Sequence, residues 1–301
     1  MTATSVGIKR KPGAFEKRIH EIDFARGVLI LIVLMDHLFW CLQYYNGNWM
    51  ESAAAAGHAN GFYKAIYNVA YFYWSGGMVW NDRAAVFNIP LLNIHQQNLF
   101  DFREFVRFFA LVGFCFLSGI SSAFSRNNWI RAGQMLLVYA VIAVGSNLLE
   151  ATGWLGQGTR IDFNVIGVLA WSTLIYCFFQ KRSWKGLLAA TLAIFLVAEF
   201  FIPWLKSTPM GSAYAPALWN PSDIGVIQAD WMPLFPFMLM FFIGALVSYF
   251  VYAKRKKSLI PHRGEWERPF CFVGRNTLWI YLGHQVVFIP IFLLLGLFLG
   301  K

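Results

Sequence analysis

Charge is scarce in this chain. Only 13% of its 301 residues are Asp, Glu, Lys or Arg, whereas 58% are hydrophobic; soluble domains carry about 25% charged residues. That scarcity excludes one large or two ordinary soluble domains. Cysteine is also sparse. Cys41, Cys115, Cys177 and Cys271 sit in or beside apolar runs, without the paired spacing of metal or redox motifs. They read as packing residues, with neither a disulfide nor a metal expected. The sequence shows no internal repeat of the transporter kind and no low-complexity tail. The first apolar run is too long for a signal-peptide core and lacks a small-x-small cleavage site, so it reads as a retained helix.

What the chain does have is a series of apolar stretches near the ~20 residues that cross a bilayer. They cover roughly 24–45, 105–124, 132–150, 163–180, 185–202, 231–253 and 276–299. The expected fold is all-α: a polytopic transmembrane bundle of about seven spans. Charge placement orients it. Lys9, Arg10, Lys11, Lys17 and Arg18 precede the first span, Arg126 and Arg131 sit between the second and third, Lys181, Arg182 and Lys185 follow the fourth, and Lys254–Lys257 lie beyond the sixth. All fall on one side, which the positive-inside rule makes cytoplasmic, with the N-terminus. Residues 1–22 then form a cytoplasmic basic N-terminus and 23–300 a single membrane domain, with 46–103 and 203–230 as external segments. The net charge of +10 is read as topology and attraction to anionic lipid, not as a nucleic-acid surface.

Ionisable groups inside a span are expensive, which makes them the first functional candidates. The first span places Asp23 and Arg26 at the cytoplasmic entrance and Asp36 with His37 two thirds of the way across. Arg26 and His37 are eleven residues apart, nearly three whole turns, so they share one helix face about 16 Å apart. Asp36 points about 100° away from His37, and a carboxylate from another helix is an alternative partner for that imidazole. In the last span Thr277, Tyr281 and His284 form one stripe, with Gln285 beside it. Arg275 is out of phase and belongs to the rim, with Asn276 as an N-cap candidate. Ser118, Gly119, Ser121 and Ser122 at the end of the second span allow close helix approach. Arg126, Asn127 and Asn128 follow them. Together with Arg26 and Arg275 they make a set of cations and amides suited to phosphate.

These residues carry a resemblance. The E-x-D-x-x-R-G opening with its D-H ending (Glu21, Asp23, Arg26, Gly27, Asp36, His37) resembles the heparan-alpha-glucosaminide N-acetyltransferase catalytic-domain family, particularly its small bacterial members. The same holds for the SGIS…SRNN…R segment from Ser118 to Arg131 and for GR…L…Y…HQ from Gly274 to Gln285. The resemblance implies a transmembrane acyltransferase that moves an acetyl group from cytoplasmic acetyl-CoA, its donor substrate, to a hydroxyl or amine of an external sugar or glycan acceptor. It implies no metal and a multi-pass protein of the bacterial cytoplasmic membrane, and it leaves a homodimer open. Arg26, Arg126, Asn127, Asn128 and Arg275 would hold the donor. Asp23, Ser118, Tyr281, His284 and Gln285 would contact substrate. His37 with Asp36 would serve as general base or acyl carrier. The family's key histidine lies between the first two spans, where this chain has His58 and His95, so His95 is the reserve. Ala170 stands where bacterial relatives carry a histidine in a central span. The competing classes are a transporter or lipid flippase, with the same polar line as a permeation path, and a noncatalytic scaffold joined by His37 and His284.

Overall fold

The computed structural model describes residues 19–55, 102–125, 127–154, 156–252, 259–260 and 264–299. His58, His95 and Arg126, most of the 46–103 segment and the basic N-terminal cluster lie outside the described residues. Those described are helical without strands. The helices are α1 (His20–Ala55), α2 (Phe102–Ser122), α3 (Asn128–Ala151), α4 (Val165–Phe179), α5 (Trp184–Leu196), α6 (Ile202–Lys206), α7 (Phe237–Val251), α8 (Glu267–Arg275) and α9 (Thr277–Leu299).

Each of the seven apolar stretches is helical, and the differences lie at the ends. Among the described residues five helical runs are long and apolar enough to cross a membrane: His20–Leu42, Phe105–Ser122, Asn128–Ala151, Trp184–Lys206 and Thr277–Leu294. α1 continues to Ala55, ten residues into the segment read as external; at 36 residues it is about 54 Å long. The α5–α6 run bends through a π-helical turn at Val197–Phe201, just before Pro203, whose missing N–H cannot close the regular ladder. α4 and α7, at 15 residues each, reach only about 22 Å. α4 starts where the Asn164 side chain accepts from the Ile166 and Gly167 amides. α7 starts only at Phe237, because Pro233 and Pro236 break the run expected from 231.

Extended chain completes what the short helices leave. The Ala229 amide donates to the Arg160 carbonyl and the Met232 amide to the Phe163 carbonyl, both at 3.1 Å. The constant offset means that the two segments lie side by side and run in the same direction. Phe163, Asn164 and Met232 are buried there, so this non-helical backbone is satisfied inside protein, as its depth demands.

Two close crossings hold the bundle. A methyl on Gly274 would land on the Asp23 carbonyl, and one on Gly27 on the Phe270 carbonyl, so α1 and α8 touch backbone to backbone. α2 and α7 repeat this with Gly119 against Phe241 and Gly244 against Phe116. Outside the bundle, Ile130, Leu137, Val141, Val144 and Leu148 of α3 and Trp279, Val286 and Leu294 of α9 are exposed. An apolar exterior of this kind needs lipid around it, and the protein is an integral membrane protein.

Candidate active site

α1 and α9 pack against each other and bring their histidines together. His37 Nδ1 lies 2.7 Å from His284 Nε2. The rings are within 5° of parallel, with centroids 4.7 Å apart. Nitrogens this close cannot belong to face-stacked rings, so the imidazoles meet edge to edge through one shared hydrogen. His284 Nδ1 hydrogen-bonds the Tyr281 carbonyl, which can only accept. That contact assigns the tautomers of the neutral pair. Nδ1 of His284 carries hydrogen, its Nε2 accepts from His37 Nδ1, and His37 Nε2 bears the lone pair. The stripe expected on the last span faces inward: Thr277 and His284 are buried, His284 at 6% exposure, and Tyr281 lies between them.

His37 opens on a cavity of about 30 Å³ lined by α1 from Ile30 to His37, by α2 from Arg107 to Phe114, and by Val165, Asp230, Met232 and Tyr281. The space suffices for a water molecule. Asp36, 7% exposed, lines the same cavity as His37 despite pointing away from it along the helix. The second carboxylate comes from a segment and not from a helix: Asp230 accepts from the Tyr281 hydroxyl at 3.1 Å. The paired extended segments hold Asp230 there. Their outer anchor is Asp162, which accepts from Asn147 Nδ2 at 2.7 Å, from Arg160 Nε at 2.8 Å, and from the Tyr214 hydroxyl and Gln228 Nε2.

Arg107 and Asp230 are not among the candidates that the sequence offers. Arg107 had a usable signal, a lone guanidinium inside an apolar run. Asp230 had none, since nothing local in a turn-rich segment tells which side chain will dip into the bundle.

At the other end of the bundle lie Arg26, Asn127, Asn128 and Arg275 of the set suited to phosphate, with Arg131 beside them. Arg26 Nη2 donates to Ser118 Oγ at 3.4 Å, and Arg131 Nη1 to Ser122 Oγ at 3.2 Å. Arg131 feels the Arg26 charge, so two guanidiniums from α1 and α3 stand near each other against the serines of α2. Three neighbours have structural duties. Asn127 caps α3 through the Trp129 and Ile130 amides. Asn128 donates to the Ser122 carbonyl and to Gln180 Oε1, both at 2.9 Å. Arg275 pairs with Asp23 at 3.1 Å, locking α8 to α1. The Asn276 side chain donates back to the Phe272 carbonyl, which closes α8. Gln285 is half-buried beside the dyad. No cluster of three or more His, Cys, Asp or Glu suited to a metal occurs among the described residues.

The chain has no match among curated proteins and none among solved structures. A family model does match, over residues 84–286, and its description is "Heparan-alpha-glucosaminide N-acetyltransferase, catalytic". The match takes in the Ser118–Arg131 and Gly274–Gln285 segments and begins beyond α1, so the Glu21–His37 motif is not part of it. More than half of the chain is covered. With an all-helical membrane bundle behind it, the chain belongs to the heparan-alpha-glucosaminide N-acetyltransferase catalytic-domain family, a family of membrane acetyltransferases.

Proposed function

We propose that the protein transfers an acetyl group from acetyl-CoA, bound at the Arg26 end of the bundle, to a hydroxyl or amine of a sugar or glycan that reaches the cavity from the opposite end. The observation that carries this reading is the His37–His284 pair, held by the Tyr281 carbonyl with a lone pair on His37 Nε2 beside the cavity. His37 accepts the acceptor's proton as its oxygen or nitrogen attacks the thioester carbonyl carbon. The carbon–sulfur bond then breaks, and the CoA thiolate takes the proton back from the imidazolium. Water and histidine alone do not discriminate donors, so donor recognition falls to Arg26 and Arg131 with Ser118 and Ser122. A pantetheine arm running along α1 between the two ends would meet the apolar side chains of Ile30, Val33 and Phe114, and the helices would have to part to admit it, since the cavity there has room only for a water molecule.

In this reading the Arg26 end is cytoplasmic, in line with the basic clusters on that side, and the membrane is the bacterial cytoplasmic one. The test is calorimetric binding of acetyl-CoA to detergent-purified protein, followed by acetyl transfer to a glucosaminide acceptor. Saturable binding weakened by Arg26→Ala and by Arg131→Ala, with transfer abolished in His37→Ala, supports the proposal. Absence of binding to well-folded wild type defeats it.

A further inference from the structure

We infer that Arg107 is a catalytic residue that binds the oxyanion formed when the thioester carbonyl is attacked; the inference rests on the donor reading above. Its position follows from the pairing of α1 with α2. Those helices are antiparallel, and Arg26 meets Ser118 across them. Moving eleven residues up α1 reaches His37, and moving eleven residues back along α2 reaches Arg107. Three turns in each helix restore the facing side, so Arg107 stands at the level of His37, on the other wall of one slot. The lining agrees: Arg107, Leu111 and Phe114 of α2 face Ile30, Val33 and His37 of α1. The cavity lining below His37 and Arg107, formed by Ile30, Val33, Leu111 and Phe114, is apolar, and its polar side chains are Asp36, His37, Arg107, Asp230 and Tyr281.

That arrangement supplies the two charges that acyl transfer develops, on opposite walls. As the acceptor's lone pair forms its bond to the carbonyl carbon, the C=O π pair moves onto oxygen and the proton moves to His37 Nε2. The new anion needs a fixed cation at a water-poor position, and the carboxylate of Asp36 lines the same cavity as the new imidazolium. When the intermediate collapses, the pair on oxygen reforms the carbonyl, the carbon–sulfur bond breaks, and the thiolate is protonated by His37. Arg107 gains and loses no proton. Its effect is confined to the state in which oxygen carries charge, which is where a preorganised donor acts most strongly.

The test needs no acceptor. Carboxymethyl-CoA and acetonyl-CoA share a skeleton and differ in whether a carboxylate oxygen or a methyl sits beyond the carbonyl. Binding of both, and of CoA itself, is measured on wild type, Arg107→Gln, Arg107→Lys and His37→Ala. Wild type should favour the anionic analogue by about 10- to 100-fold, the worth of one charge-assisted hydrogen bond. Arg107→Gln should lose that preference with CoA affinity unchanged, Arg107→Lys should keep part of it, and His37→Ala should keep most. If Arg107 only balances the two carboxylates, wild type prefers the neutral ketone, since Asp36 and Asp230 repel another anion, and the inference falls. It falls equally if the preference survives Arg107→Gln or vanishes only in His37→Ala. Wild type that binds no CoA sinks the donor reading instead, so the two failures are distinct. The wild-type comparison stands even if a variant fails to fold.

Discussion

His37 and His284 were each visible in the sequence as imidazoles inside apolar helices, but their partnership was not. Helical phase showed which face each occupied, and nothing local records that residues 37 and 284 share a 2.7 Å contact. The roles separate cleanly in substitutions. His37→Ala should lower acetyl transfer by about 10²- to 10⁴-fold with little change in thermal unfolding, because one imidazole is small beside the packed bundle. His284 holds the tautomer of its partner, so His284→Gln, whose side-chain carbonyl still accepts from His37 Nδ1, should retain more activity than His284→Ala. Equal loss in both variants would mean that the accepting atom is unimportant. For the rim the lesson differs: Arg26, Arg126, Asn127, Asn128 and Arg275 are legible as one polar set, but Asn127 works on backbone, Asn128 on backbone and Gln180, and Arg275 on Asp23. Their capping and pairing needs are met within the fold, which spacing alone does not reveal.

At the level of elements, the spans were read well because apolar runs of bilayer length are a strong signal, and their ends were read less well. Proline at 233 and 236 and the Asn164 cap displaced helix starts, and the paired segments at 160–163 and 229–232 carry no periodicity to announce them. The glycine motifs acquire a physical meaning here. Gly27 and Gly274 are spaces through which α1 and α8 meet, and Gly274→Ala should cost about 1–3 kcal/mol by driving a methyl into the Asp23 carbonyl. A lowered melting temperature in detergent, with a weakened Asp23–Arg275 pair, is the expected result; an unchanged one would show that the crossing relaxes freely. The outer anchor has its own signature. Burial first, and then hydrogen bonding to the Asp162 carboxylate and its charge, push the Tyr214 phenol up from 10 to about 12. Folding raises that pKa, so the stabilisation is whole below about pH 10 and is lost as pH rises toward 12. Titration of tyrosinate absorbance, wild type against Tyr214→Phe, reads it directly.

For the whole molecule, the orientation proposed from the basic clusters can be checked on two described surfaces. A cysteine replacing Asp223, in the exposed segment between α6 and α7, should react with an impermeant maleimide in intact cells. One replacing Arg268 at the start of α8 should react only after the membrane is opened; the reverse pattern would invert the bundle. The two short helices bear on the same question of sidedness. α4 and α7 stop short of a full crossing, and at the end away from Arg26 they are preceded by the hydrogen-bonded segments at 160–163 and 229–232, the second of which carries Asp230. Along that wall the regular apolar helix is therefore shorter than in the other spans. On the proposed reaction, a bulky polar acceptor held at that surface would have less hydrocarbon to cross before it met the dyad.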